Sequence, residues 1–240
     1  MFRPPYTRVE DLRRIREFVN AYPFGILITQ GDDHSPFATH IPFLLQEGDG
    51  GHELTGHVAK ANPHWKAWDG KRQALVIFHG PHGYVSPSWY GEHPAVPTWN
   101  YAAVHAYGRP RALKDEAQLW PLLQQLIDAF ESGRVPRWRA DLPSEYRAKM
   151  VAGIVGVTIP VERWEAKFKL SQNRGAGDRE RVIERLEASS FAADRELGTF
   201  MRAQTEVVFP ERHPSVPGSG VARPPSATGG AKRDTIADLD

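Results

Sequence analysis

The sequence predicts a mainly β fold with peripheral helices, an antiparallel barrel and not a βαβ sheet. Three observations carry that expectation. Six or seven strand-like segments follow one another with little helix between neighbours, the order of an antiparallel sheet or barrel. Glycine (21) and proline (20) are both abundant in 240 residues, above the usual combined share of ~12%, as in loop-rich or β-rich chains. Helical periodicity is confined to the two ends and one central stretch.

Taken in order, Thr7-x-x-Glu10 reads as a capping box ahead of Leu12, Ile15, Phe18 and Val19, predicting a first helix. Phe24–Gln30 and Phe37–Leu45 flank Gly31-Asp32-Asp33 and predict a hairpin. His52–Val58 alternates weakly. Asn62-Pro63 reads as an N-cap with Pro in the first helical position, so a short helix is expected from Pro63. Ala74–Phe78 is a short apolar strand bounded by Gly80-Pro81, and Thr98–Tyr107 is aromatic and β-branched. Asp115 precedes Leu119, Leu122, Leu123, Leu126, Ile127 and Phe130, the stripe of an amphipathic helix. Pro121 interrupts it and predicts a kink or a restart at Trp120. Ile154–Trp164 and Ala166–Leu170 supply the last strands. Two short helices follow Asp178 and Asp194.

Composition removes several function classes. There is no cysteine, which excludes a disulfide scaffold, a cysteine zinc site, an iron–sulfur cluster and a thiol nucleophile. A net charge of +1 gives no global basic field for nucleic acid. No apolar run reaches the ~18 residues of a membrane span, and the first residues, MFRPPYTRVEDLRRIREF, lack an apolar signal core. The expectation is a cytoplasmic protein with no membrane partner. Pro210–Asp240 holds five Pro, four Gly, three Ser and no aromatic residue. Such a segment buries too little to offset its ordering entropy, and a disordered tail is expected there. The expected divisions are a barrel over 1–188, a helical extension over 189–209 and the tail over 210–240.

Two segments stand out chemically. From Gln73 to Gly108 the only formal charge is Glu92, while Trp89, Trp99, Tyr84, Tyr90, Tyr101, Tyr107 and four histidines lie in the same block. Solvated surfaces are seldom so neutral. The block is either barrel core with a Pro-rich loop, or a subunit interface or flat aromatic ligand site. In Gly56–Trp68 (GHVAKANPHWKAW), Lys60 sits two residues before the cap Asn62. A cation beside a helix start suits a phosphate, although an ordinary capped helix with a solvated lysine explains the same residues.

Other signals are weaker. His79-Gly-Pro-His82, with His40 and His57, could suggest a metal or a haem ligand, but the close pair is broken by Gly-Pro and has no carboxylate nearby. No metal is expected. Ser86-Pro87-Ser88 lacks the glycines of a nucleophile elbow. Neither a Walker A motif nor a helix-turn-helix pair is present. Arg13, Arg14 and Arg16 make too small a cluster for a DNA surface.

The residues NAYPFG (20–25), FATHIP (37–42), GHVAKANPHW (56–65), ALVIFHGPHGYVSPSWY (74–90), VPTWNYAAVHAYG (96–108), GIVGVTIPVERWEAKFKLSQNR (153–174) and DRERVIERLE (178–187) closely resemble the PaiB-type FMN-binding negative transcriptional regulators. The resemblance runs from about residue 1 to residue 186. It implies an FMN-binding split β-barrel like that of pyridoxamine-phosphate oxidases, a homodimer with flavin in the cleft between subunits, and FMN as cofactor. By motif it implies a phosphate end at Thr39, Lys60 and Asn62, with His40, His57 and Trp65 in the same motifs. Thr98, Trp99 and Asn100 would lie on the flavin-lining strand, and Lys169, Gln172 and Asn173 would approach from the partner. The Ser-Arg-Lys phosphate run and the Arg-rich late motif of the oxidase branch are absent, so that branch's substrate is not implied. The family implies repression of transcription, through DNA or a protein partner. An FMN-dependent oxidoreductase or oxygenase is the alternative.

Overall fold

The computed structural model describes residues 1–31, 33–48 and 50–204; the tail expected over 210–240 lies outside them. Among these described residues, nine strands form one curled antiparallel sheet. They are β1 (Arg8–Val9), β2 (Phe24–Gln30), β3 (Pro36–Pro42), β4 (Leu44–Gly48), β5 (Gly51–Ala59), β6 (Ala74–Val85), β7 (Thr98–Gly108), β8 (Arg111–Leu113) and β9 (Ile154–Lys169). The helices are α1 (Leu12–Ala21), α2 (Glu116–Glu131), α3 (Ser144–Ala152), α4 (Ala176–Glu187) and α5 (Ala192–Ala203).

The sheet runs β3-β2-β6-β7-β9-β5-β4, with β1 and β8 also paired to β9. The two segments expected at its end are one continuous strand. The first part of β9, from Ile154 to Pro160, pairs with β5. The second, from Val161 to Lys169, pairs with β7. Pro160 sits at the handover, where a missing N–H costs the ladder least. Alternate residues point inward, so Leu27, Ile41, Phe43, Leu54, Phe78 and Ile159 meet in one core. Leu197 and Met201 of α5 are fully buried in that same core.

Several expectations change for local reasons. Thr7 does not cap α1. It closes a short 3₁₀ turn with its hydroxyl on Pro4 O, and Arg8–Val9 are drawn into the sheet opposite Lys167 and Ala166. The cap moves to Asp11, which accepts from Arg13 N at 2.9 Å. Pro121 neither breaks nor restarts α2, which runs through it. Pro121 and Ala117 are exposed, so the carbonyl that loses its partner faces water, while Leu119, Leu122 and Leu126 stay buried on the other side. The hairpin return divides at Phe43 into β3 and β4. β6 does not stop at Gly80-Pro81; a bulge between His79 and His82 carries it on to Val85. A side chain at Gly80 would collide with the Phe18 ring at 2.6 Å. α3 and the short strands β1 and β8 carried no pattern strong enough to be read.

Gly108 is required by close approach. It lies at the irregularity where β7 meets Val161, and a Cβ there would come within 2.2 Å of Pro160 O. The obstacle is backbone and cannot rotate away. Gly108→Ala is therefore expected to destabilise the protein by about 1–3 kcal/mol, the usual cost of overpacking. Chemical denaturation with unchanged m-value is the check; a stability equal to that of the unsubstituted protein would contradict the close contact.

Candidate functional site

Two groups of expected site residues stand apart. The first is built where β3 passes the turn after β5. Thr39, opposite Leu27 in the hairpin register, points inward, whereas the adjacent His40 points outward and stacks on Phe24 at 6.0 Å. Asn62 caps a single 3₁₀ turn, Pro63–Ala67, and not a helix with a free N-terminus. Its Oδ1 accepts from His64 N at 3.0 Å, and its Nδ2 donates to Thr39 Oγ1 at 3.3 Å. Two polar side chains 23 residues apart in sequence thus meet at the barrel's end.

Lys60 lies beside them. Its side chain is exposed, and its ammonium makes no hydrogen bond or ion pair among the described residues. The turn that carries it is fixed by Trp65, whose Nε1 donates to Lys60 O at 2.9 Å. The Trp65 ring in turn carries the Lys114 ammonium at 4.5 Å from its centroid.

His64 was not among the expected residues, and it is the centre of this group. The ring is 2% exposed. Nδ1 lies 2.9 Å from Thr39 Oγ1 and Nε2 2.7 Å from Thr29 Oγ1. Burial pushes its pKa down to about 4, so the imidazole is neutral at neutral pH. The signal in sequence was the Asn-Pro-His order: a cap with Pro after it hands its side-chain acceptor to the N–H of the next residue, His64.

The second group gathers where the start of β7 meets the end of β9. Lys169 Nζ donates to Trp99 O at 2.7 Å and also to Thr98 Oγ1. Burial, and then the Lys167 charge, hold the Lys169 ammonium below its ordinary pKa. Trp99 and Tyr84 are about half exposed and meet edge to face at 6.2 Å. His82 lies 4.5 Å from His79 and 6.4 Å from Trp99. Among the described residues no three metal-ligating side chains converge.

The two groups do not meet within one chain. Thr39 shares a row with Leu27, Val76 and Ala106. Thr98 lies eight residues further along β7, roughly 27 Å of strand at ~3.4 Å per residue. Besides His40, four expected residues stand outside both groups. Asn100 is fully enclosed, its Nδ2 donating to Ser171 Oγ at 2.9 Å and reaching Met201 Sδ at 3.4 Å, so it serves the core. Gln172 spends both ends of its amide on the turn, accepting from Leu170 N at 2.6 Å and donating to Phe168 O. Asn173 is exposed. His57 sits opposite Gly156, on the face covered by Leu119 and Leu122 of α2. Burial lowers its pKa, and its Nδ1, like the Thr55 and Thr158 hydroxyls, is buried with no partner among the described residues.

Residues 1–163 match the family model described as "Putative FMN-binding domain". The chain belongs to this FMN-binding family. Among its relatives is the protease synthase and sporulation protein PAI 2 of Bacillus subtilis (strain 168), 38% identical over 188 residues, 78% of this chain and 89% of that protein. A protein of Emericella nidulans, AN0679, is 32% identical over 80% of this chain and 93% of its own length. Among solved structures, the flavocytochrome Anf3 of Azotobacter vinelandii matches with a TM-score of 0.55 at 19% identity, over 70% of this chain and 72% of that one. The FAD and haem binding protein of Mycobacterium smegmatis matches with a TM-score of 0.54 at 20% identity, over 72% of this chain and 78% of that one. These structures share the fold, and the family's curled antiparallel sheet is a split barrel. The cofactor that the family name states is FMN. The first group suits its phosphate end: an uncommitted ammonium, a hydroxyl and an amide N–H are the donors a dianion needs.

Proposed function

We propose that this member of the FMN-binding family is a flavin-dependent negative regulator of transcription of the PaiB type. The observation that carries the reading is the 38% identity spanning 89% of the B. subtilis relative, a protein named for protease synthesis and sporulation. When bound, FMN supplies a redox-active ring able to accept and release a hydride. The chain's own residues bind and orient it. Lys60 supplies charge to the phosphate, Thr39 and Asn62 supply hydrogen-bond donors, and Thr98, Trp99 and Lys169 form a second wall contributed by a partner copy. The roughly 27 Å of strand between the two groups supports a cleft built from two chains.

A homodimer is part of this reading. The outer face of β2 and β6 presents Ile26, Ile28, Leu75 and Ile77, half buried, and His105 Nδ1 is buried there with no partner among the described residues. Phe24 is 62% exposed at its edge. Permanent interfaces of this kind bury above ~2,000 Å². Light scattering at micromolar concentration should give twice the chain mass; a stable folded monomer would remove the two-chain cleft.

A second reading, an FMN-dependent oxidoreductase or oxygenase, draws on one observation. Trp99 and Tyr84 leave an exposed aromatic surface beside His79 and His82, a surface suited to a small planar substrate. Purified protein separates the two readings. A regulator shifts its promoter DNA, with flavin that NAD(P)H does not bleach under anaerobic conditions. Anaerobic bleaching by NAD(P)H without a DNA shift favours the enzyme.

The phosphate seat has its own test. Removing one charge-assisted contact costs ~1.5–3 kcal/mol, roughly 10- to 150-fold in affinity. Lys60→Ala should weaken FMN by that factor and leave riboflavin, which lacks the phosphate, nearly unchanged. Asn62→Ala should act likewise and cost ~1 kcal/mol of stability through the lost cap. Lys71→Ala, on the exposed loop before β6, should do neither. Equal losses for FMN and riboflavin in Lys60→Ala would put the phosphate elsewhere.

A further inference from the structure

The buried imidazole of His64 has a use that its place behind the proposed phosphate seat brings out. The ring is held between Phe37, 4.6 Å away, and Trp68, 5.4 Å away. It bridges two hydroxyls, Thr39 Oγ1 on Nδ1 and Thr29 Oγ1 on Nε2. A neutral imidazole has one N–H and one lone pair, so it donates to one hydroxyl and accepts from the other. The adjacent amide is not free to choose. Asn62 Oδ1 takes the N–H of His64, so Nδ2 must face Thr39 and donate.

Two proton arrangements follow. In the first, Thr39 donates to Nδ1 and Nε2–H donates to Thr29. Thr39 then presents only a lone pair to a ligand. In the second, Thr29 donates to Nε2 and Nδ1–H donates to Thr39. Thr39 now accepts from both His64 and Asn62, and its own proton is released toward the ligand. The two arrangements hold the same number of protons and interconvert by exchange with solvent. An ionised phosphate oxygen only accepts, so it is complementary to the second arrangement alone.

We propose that His64 is a positioning residue of the FMN phosphate seat, holding the Nδ1–H tautomer so that Thr39 donates to the phosphate. His64 itself touches no ligand; it acts through Thr39. The proposal rests on the seat at Thr39, Lys60 and Asn62 argued above. It adds a criterion for the ligand: an anionic oxygen is accepted at Thr39, and a neutral donor group in its place is refused.

Two measurements on the full chain test it. Histidine ¹⁵N spectra of the FMN-loaded protein at neutral pH should show His64 with its proton on Nδ1; a proton on Nε2 overturns the proposal, and this reading needs no variant to fold. Affinities for FMN and riboflavin give the second. His64→Phe should lower the FMN-to-riboflavin ratio by about 10- to 150-fold, the range for one hydrogen bond to a charged group. His64→Asn, which keeps a donor near the Nδ1 position, should recover most of it. In a Thr39→Val background His64→Phe should cost FMN nothing more, because the hydroxyl it acts through is gone. Additive losses overturn the proposal. If Lys60→Ala is selective for FMN and the His64 losses are additive, the seat stands and only the role of His64 falls. If Lys60→Ala lowers both ligands equally, the seat itself falls.

Discussion

The fold depends on a single strand serving two neighbours. β9 pairs first with β5 and then with β7, so one segment of sixteen residues ties both parts of the curled sheet together. The handover at Pro160 and Val161 leaves no room for a side chain at Gly108. It also leaves an outer edge on β9 where β1 and β8 can add. The core then fills from both parts at once: Val157 and Ile159 on the first half of β9, Ala166 and Phe168 on the second, all essentially buried. Breaking this strand would separate the barrel into pieces with too little apolar surface to fold alone.

Most of that architecture was legible in the residues. The hairpin signal at Phe24–Gln30 and the aromatic, β-branched run Thr98–Tyr107 match strands at nearly their observed bounds, and Asp115 with its leucine stripe matches α2. The departures from local signals have one physical cause: tertiary contacts outweigh local preferences there. Gly80-Pro81 reads as a stop, yet the ladder to β7 resumes after the bulge. Pro121 reads as a break, yet its freed carbonyl partner is in water. Thr7 fits a capping box, yet Arg8 and Val9 gain a ladder with β9 by leaving it. α3 has a weak apolar stripe, with only Val151 buried, so periodicity could not announce it.

The site was legible in part, for a similar reason. Thr39, Lys60 and Asn62 were reached through motifs, and the structure brings the Thr39 and Asn62 side chains within hydrogen-bonding distance. Motif membership does not tell which face a residue takes. Thr39 and His40 are neighbours in sequence and point to opposite sides of the sheet, and His57 lies beneath α2. Asn100 was expected on the flavin-lining strand through its motif, which does not tell that its side chain is enclosed. Its enclosure by Ser171 and Met201 depends on α5 packing over β6, more than ninety residues later in the chain. His64 shows the converse: a histidine between a proline and a tryptophan gave no sign of its two threonine partners, because both lie on strands distant in sequence.

The bulge at Gly80 and Pro81 resets the parity of β6. Before it, Val76 and Phe78 face inward; after it, Gly83 and Val85 do, while His82 and Tyr84 face out. Counting by twos from Phe78 would put His82 and Tyr84 inside the barrel. The single extra residue therefore works as a phase shift, and all that follows it inherits the shifted frame, including the seat of Leu197 against Gly83. Deletion of one residue at the bulge would restore plain alternation and keep Gly83 and Val85 on the inner face, whereas insertion of one further residue there would exchange the inner and outer faces of the strand's last third.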